Sequence, residues 1–335
     1  MPTLLQRLLW PASAAFEGAA RLRAATFRWG VRRSRRLSGT VISIGNLTVG
    51  GTGKTPMVMW LVERLLAEGK RVGILTRGYR GDAEGGRLSD EVALVKGRLG
   101  GKAQFGIGAD RYAKGRMLER HSVEWFVLDD GFQYLQLARD VDIVLIDASD
   151  PFGGGHLLPA GRLREPKSAL ARADVVVITR SEHAPAIEAV VRRFSAAPIF
   201  YAQTRLEGVF RAGAAGAVPL ADWQGTRFFA FCGIGNPGAF FEDLTRWGFD
   251  VVGQARFRDH HRYSASDAAA ILQRAESAGA TGLVCTEKDT YNLDPSAFAR
   301  LPLFFCRISL VPQTPTELWS TILATAGRKR SEIAR

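Results

Sequence analysis

The stretch Ile44-Gly45-Asn46-Leu47-Thr48-Val49-Gly50-Gly51-Thr52-Gly53-Lys54-Thr55-Pro56 constrains this chain more than any other. An apolar, β-branched run at 41–44 precedes it, and an apolar run of helical period over 54–67 follows it. Strand, glycine-rich loop, helix is the context that gives a GxxxxGK[ST] pattern a physical meaning. Glycines let successive backbone N–H groups approach the β- and γ-phosphates of a nucleotide without a Cβ clash, and the helix N-terminus adds its partial positive charge. On this reading Thr48, Val49, Gly50, Gly51, Thr52, Gly53, Lys54 and Thr55 form the nucleotide cradle. Lys54 meets the β/γ oxygens and the Thr55 hydroxyl meets Mg²⁺. Thr48 departs from the general pattern, which has glycine there. Such loops serve GTPases, ATPases and kinases alike, so the loop sets the ligand class and leaves the reaction open.

The flanking pattern alternates short apolar runs with helical ones. Runs at 72–76, 125–128, 141–146 and 175–179 read as buried parallel strands, and helical patterns separate several of them. This predicts an α/β fold, a P-loop NTPase-type doubly wound sheet. Periodicity fades at 203–226, where Gly and Ala crowd. A second α/β set then begins: strands at 228–232, 251–255, 283–286 and 303–308, with helices at 237–247 and 266–278. The expected organisation is a basic N-terminal helical segment, 1–40, a P-loop kinase domain, 41–205, and a smaller second α/β lobe, 206–335. The tail after Ala326 reads as frayed and basic.

Charge enters here because it is uneven. Of a net +12, residues 1–40 hold eight arginines, no lysine and one acid, Glu17. A basic balance points to an anionic partner, whether nucleic acid, a phosphate-rich substrate or a bilayer face. A helix is expected over 13–36, and at about 100° per residue it gathers Arg21, Arg28, Arg32 and Arg35 in a narrow sector. Leu4, Leu5, Leu8, Leu9, Trp10 and Phe16 supply apolar mass upstream, in a run stopped by Pro11. An apolar wedge followed by an arginine stripe suits an interfacial helix on anionic lipid; a solvated helix face and a nucleic-acid arm are the competing readings. No run of about 18 apolar residues is present, so no conventional spanning helix is expected. Cys232, Cys285 and Cys306 are odd in number and widely spaced, which reads as buried thiols rather than a disulfide or metal set.

Three further stretches carry chemistry. Val127-Leu128-Asp129-Asp130-Gly131-Phe132-Gln133 ends an apolar run in two acids, where a Walker-B carboxylate would meet the Mg²⁺ held by Thr55. One of Asp129 and Asp130 would bind the metal and the other orient a ligand; a capping turn uses the same residues. Ser89-Asp90-Glu91 offers Asp90 as a base for a hydroxyl nucleophile, although solvated acidic dipeptides are common in loops. Phe257-Arg258-Asp259-His260-His261-Arg262-Tyr263 concentrates two histidines and two arginines between a strand and a helix, and Thr286-Glu287-Lys288-Asp289 ends another strand. Guanine selectivity usually needs an NKxD-type element, and Ile178-Thr179-Arg180-Ser181 lacks it. The alternative to an enzyme is a P-loop GTPase or metallochaperone-type binding module. It predicts metal-ligand cysteines, which the spacing here does not supply.

Taken together these stretches resemble the tetraacyldisaccharide 4′-kinase (lipid A 4′-kinase) family. The carriers are 45–56, Thr76-Arg77-Gly78-Tyr79, Asp90-Glu91, Asp129-Asp130-Gly131-Phe132-Gln133, Asp150-Pro151-Phe152-Gly153, 158–166, Asp259-His260 and Thr286-Glu287-Lys288-Asp289. The resemblance absorbs Thr48, since the family's own loop is similar. It implies transfer of the ATP γ-phosphoryl group to the 4′-hydroxyl of an acylated disaccharide 1-phosphate, with Mg²⁺, at the cytoplasmic face of the bacterial inner membrane. It implies Asp90 as base, His260 as its partner from the other lobe, and Asp129, Asp130 and Glu91 around the metal. Arginines of 77–80 and 162–164 would meet either the substrate's 1-phosphate or the transferring phosphoryl group. Neither nucleic acid nor an obligate protein partner is expected. The chain departs from the family at Tyr134, where His is common, and at Arg180, where Lys is common.

Overall fold

The computed structural model describes residues 4–78 and 88–333. Along the chain these residues form α1 (Leu4–Arg28), β1 (Thr40–Asn46), α2 (Lys54–Ala67), β2 (Val72–Thr76), α3 (Asp90–Leu99), β3 (Gln104–Ile107) and α4 (Arg111–Glu119). Next come β4 (Trp125–Asp129), β5 (Val141–Asp147), β6 (Val175–Thr179), α5 (Pro185–Arg192), β7 (Ile199–Arg211), β8 (Ala217–Val218) and α6 (Leu220–Trp223). The chain continues through β9 (Arg227–Cys232), α7 (Pro237–Arg246), β10 (Asp250–Arg256), α8 (Ala265–Ser277), β11 (Gly282–Thr286), β12 (Leu303–Pro312) and α9 (Pro315–Ile333).

The described residues fall into two units. The first comprises those up to Gly78, Leu99–Thr204 and those from Leu310 onward; the second comprises Leu88–Arg98 and Arg205–Ser309. In the first unit the strand order is β7-β6-β5-β1-β4-β2-β3, with parallel ladders throughout. Every residue of β1, β2, β5 and β6 is buried, which is why these strands are predominantly apolar rather than alternating. From β1 the chain passes to one side of the sheet and returns for β5, β6 and β7 on the other, so β1 lies at the topological switch, where such sheets bind ligands beyond the strand ends. The registers Ile44↔Asp129 and Leu75↔Leu128 align the carboxyl ends of β1, β2 and β4.

The second unit has its own parallel order, β10-β9-β11-β12. One face packs Phe229, Phe231 and Cys285 against Ile271 and Leu272 of α8. The other packs Phe228, Cys232 and Cys306 against Phe240, Phe241 and Leu244 of α7. All three cysteines are free and buried, as expected, and burial pushes their thiols up.

Four expectations are corrected. The first helix runs through Pro11 and ends at Arg28, because Gly30 follows at φ +73, a left-handed position that stops helices. Arg32 and Arg35 therefore leave the stripe, and Arg35 instead forks onto Asp110 at 2.8 and 2.9 Å. The fading pattern at 203–226 conceals the second half of β7, whose buried positions are small or polar (Ala202, Thr204) before Val209. The tail is α9, with Leu318, Ile322 and Ala326 buried, Lys329 on Asp174 at 2.6 Å and Arg330 on the Gly39 carbonyl at 2.8 Å. Finally, the units do change over between Thr204 and Arg205, but they interleave in sequence, since Leu88–Arg98 joins the second unit and the chain from Leu310 returns to the first. Arg98 of α3 binds Glu207 at 2.5 Å and the Ile308 carbonyl at 2.9 Å, which ties α3 to the second unit.

Candidate active site

The phosphate loop begins where β1 ends. Asn46 is fully buried; its Nδ2 donates to the Thr48 carbonyl at 2.9 Å, and its Oδ1 accepts from Lys54 Nζ at 3.1 Å and from the Arg164 guanidinium. A side chain two residues into the motif thus folds the loop back and aims the lysine. Residues 162–164 run alongside: Val49 N–H donates to the Arg162 carbonyl, Arg164 N–H to the Leu47 carbonyl, and the Arg162 guanidinium to the Val49 carbonyl at 2.9 Å. Gly53 caps α2 at φ +84, a conformation that a side chain would strain. The Thr52 hydroxyl oxygen is buried without a partner among the described residues. An orphaned polar atom inside a glycine-rich cradle fits a loop built to be completed by ligand.

The Asp-Asp-Gly turn packs directly on β1. A Cβ at Gly45 would lie 2.6 Å from the Cβ of Phe132 and 2.7 Å from its amide nitrogen, so only glycine lets this turn close on the strand. Gln133 Nε2 donates to the Asn46 carbonyl at 3.0 Å, joining the turn to the loop. Asp129, the last residue of β4, accepts from the Thr76 hydroxyl at 3.4 Å. Asp130, at φ +49, receives the Arg164 guanidinium on both oxygens at 2.7 and 2.8 Å, with Lys54 Nζ 3.7 Å away. Its recessed position alone would raise the Asp130 carboxyl, but Lys54 and Arg164 outweigh it and hold the group well below the usual carboxylate range.

In the second unit Asp90 opens α3 and is only 6% exposed. His260 Nδ1 stands 2.9 Å from both of its oxygens, and Asn292 Nδ2 donates to Oδ2 at 2.8 Å. Lys288 Nζ lies 3.1 Å from Asp259, 3.5 Å from Glu91 and 3.8 Å from Asp90, an ammonium shared by three carboxylates. Desolvation raises the Asp90 carboxyl, yet His260, Lys288 and Asn292 together bring it below its ordinary value. The hydrogen bond to Asp90 lifts the His260 imidazole above its ordinary value, against burial and the Lys288 charge. The histidine loop has its own support. His260 takes φ +58 and donates its N–H to the Gly233 carbonyl, while buried Asp289 accepts from Gly233 N–H at 2.8 Å, the Tyr263 hydroxyl at 2.9 Å and the Thr286 hydroxyl at 2.5 Å.

Of the residues singled out in the sequence, Lys54, Asp130 and the loop 48–55 come together in the first unit, and Asp90 and His260 in the second. The expectation that His260 reaches Asp90 from another lobe is corrected: α3 belongs to the same unit as His260. Glu91 stands beside Lys288 in that unit, whereas Thr55, Asp129 and Asp130 belong to the first. Among the described residues, no group of three or more His, Cys, Asp or Glu side chains is spaced to hold a metal ion. Arg162 and Arg164 brace the phosphate loop, Asp150 and Asp130 being their acidic partners. Tyr79 and Arg80 lie outside the described residues. Sequence reasoning passed over Asn292 and Arg111. The latter is 8% exposed and follows the α4 cap Asp110, which accepts from Ala113 N–H at 3.0 Å. That Asx cap was the available signal.

The chain is similar to known proteins along most of its length. A family model described as LpxK, tetraacyldisaccharide-1-P 4′-kinase, matches residues 5–326. The tetraacyldisaccharide 4′-kinase of Geobacter metallireducens is 38% identical over 335 residues, covering 94% of this chain and 97% of that protein. The Pelobacter propionicus protein of the same name is 40% identical over 305 residues, covering 86% and 83%. Among solved structures, the "apo" form of LpxK from Aquifex aeolicus in complex with ATP superposes with a TM-score of 0.73 at 30% identity, covering 96% of this chain and 99% of that one.

Proposed function

This chain belongs to the tetraacyldisaccharide-1-P 4′-kinase family, and we propose that it transfers the γ-phosphoryl group of ATP to the 4′-hydroxyl of a tetraacyldisaccharide 1-phosphate, giving lipid IVA. The observation that carries this reading over a nucleotide-binding module is the buried Asp90–His260 pair. A binding module needs a phosphate loop but has no use for a desolvated carboxylate tied to an imidazole, whereas a hydroxyl acceptor needs a base.

Phosphoryl transfer asks for positioning and charge neutralisation more than for covalent help. Lys54, aimed by Asn46, takes the β/γ oxygens, and the loop N–H groups take the rest of the triphosphate. Asp90 accepts the hydroxyl proton, with His260 and Asn292 fixing its orientation. The Thr55 hydroxyl and Asp129 would hold Mg²⁺, because both Asp130 oxygens are already engaged by Arg164. Bound there, Mg²⁺ would neutralise charge developing between the β- and γ-phosphates. The donor set fits: a hydroxyl and a carboxylate are hard oxygen ligands, and this ion keeps several waters of its own.

The proposed working place is the anionic cytoplasmic face of the bacterial inner membrane. No helix among the described residues is long and apolar enough to cross a membrane. In support of surface binding, Leu22, Trp29 and Val31 are 61%, 67% and 74% exposed in the basic N-terminal segment. A cleft of about 750 Å³ beside α1, lined by Trp10, Ala14, Leu157 and Phe194 with Lys167 and the Arg21–Glu17 pair, suits an acyl chain whose anionic head meets Lys167. Incubation of the purified protein with Mg·ATP and the disaccharide 1-phosphate in detergent should yield a product that mass spectrometry shows phosphorylated at the 4′ position. Absence of that product, or turnover with GTP alone, would overturn the proposal.

A further inference from the structure

We propose that Tyr134 is a positioning residue that clamps the Arg111 guanidinium so that it receives a phosphate oxygen during the reaction. The inference rests on the kinase reading above and deepens it.

Arg111 Cζ lies 4.4 Å from the centroid of the Tyr134 ring, and the Arg111 amide N–H donates to the Tyr134 hydroxyl at 3.2 Å. One side chain thus holds both the backbone and the head of the arginine, at the first turn of α4. The ring is itself fixed. Tyr134 is 9% exposed, packs with Leu37, Leu118 and Leu137, and its N–H donates to the Gly131 carbonyl at 2.8 Å. The clamp is therefore built on the same turn that carries Asp129 and Asp130, and Arg111 feels the charges of both, as well as that of Arg77.

What the arginine is held for follows from what it lacks. Its Nη1 donates to the Ala109 carbonyl at 3.3 Å, while its buried Nε has no partner among the described residues. A buried guanidinium with an unmade hydrogen bond is costly unless a ligand completes it. Asp130 does not need this cation, since Arg164 and Lys54 already attend it. Beside the turn that carries Asp129 and Asp130, the acceptor that completes a planar guanidinium fork is a phosphate oxygen. It comes either from the nucleotide or from the substrate's 1-phosphate. A flat ring under the guanidinium leaves its edge free to meet that oxygen, an arrangement that an aliphatic side chain at 134 would not fix.

A double-mutant cycle tests this. Tyr134→Leu should lower kcat/KM about tenfold or more, and Tyr134→Phe, which keeps the ring, should retain most of it. In an Arg111→Ala background Tyr134→Leu should lower it no further. A rise in KM confined to ATP or to the disaccharide identifies the phosphate source. Equal losses in both backgrounds, or no loss from Tyr134→Leu, would overturn the proposal; should that variant not fold, Tyr134→Met, which also lacks a flat ring, enters the same cycle. A second arm needs no kinase activity. Modification of Arg111 by phenylglyoxal, mapped by mass spectrometry, should be at least about fivefold faster in Tyr134→Leu than in wild type, as expected when a stacked cation is released. An unchanged rate rejects the clamp even if wild-type protein proves inactive on the disaccharide, an outcome that would count against the proposed function alone.

Discussion

Lys54 is aimed by Asn46 and balanced by Asp130, so its charge is in place before a nucleotide arrives. Lys54→Ala should therefore lower kcat/KM by about 10² or more, as measured in the detergent assay, since it removes charge stabilisation that grows in the transition state. The Asp90–His260 pair makes a prediction with a definite sign. His260 is raised above its ordinary 6.5 and Asp90 lowered below its ordinary 3.8, with Lys288 and Asp259 the other charges facing the pair. The histidine's contribution to stability is complete below pH 6.5 and is lost as pH rises through its raised value. That of the aspartate is present above pH 3.8 and is lost as pH falls through its lowered value. Urea melts should thus show wild type exceeding His260→Gln most between these limits, the difference shrinking on the alkaline side. Activity runs the other way: once the imidazolium loses its charge, Asp90 becomes the stronger base. Wild-type kcat/KM should climb through an inflection above pH 6.5 that is missing from the His260→Gln profile.

At the scale of elements, the contact between β1 and the Asp-Asp-Gly turn governs the site. Gly45→Ala would drive a methyl group into the Phe132 backbone, and overpacking of this kind costs about 1–3 kcal/mol. Chemical denaturation should register that loss, and activity should fall with it because the displaced turn carries Asp129 and Asp130. An unchanged midpoint with full activity would refute the close packing. These elements were the legible ones. Strands buried on both faces, such as β2 and β6, announce themselves as unbroken apolar runs, and α2 follows its phosphate loop at the expected residue. The illegible elements share a cause: their stability comes from distant partners. The far half of β7 carries Arg205, Glu207 and Gly208, poor strand formers on their own. The end of α9 reads as a solvated basic tail because its anchors are far upstream in the chain. Lys329 answers the Asp174 carboxylate there, and Arg330 answers the Gly39 carbonyl. Likewise nothing local in Asp90-Glu91 says that α3 joins the unit of His260. That membership is set by Arg98 reaching Glu207 and Ile308.

For the whole molecule the question is where its +12 acts. The structure thins the N-terminal charge, since Arg35 and Arg36 are engaged by Asp110 and Asp140, and Arg21 pairs with Glu17. What remains is a moderate positive field beside exposed Leu22, Trp29 and Val31. Fully burying an apolar side chain of this size gains about 1.5–3 kcal/mol, while each basic residue near anionic lipid gains about 1 kcal/mol. Apolar insertion should therefore outweigh charge. Sedimentation with vesicles containing phosphatidylglycerol should lose most of the bound fraction in the triple variant Leu22→Ser, Trp29→Ser, Val31→Ser, whose exposed positions leave the fold alone. Raising the salt tenfold should weaken wild-type binding only in part. A nucleic-acid arm would behave oppositely, with binding to DNA that falls steeply with salt and ignores the three apolar residues. Vesicle binding abolished by salt yet untouched by the triple variant would place the attraction in the arginines and remove the apolar face from the membrane account.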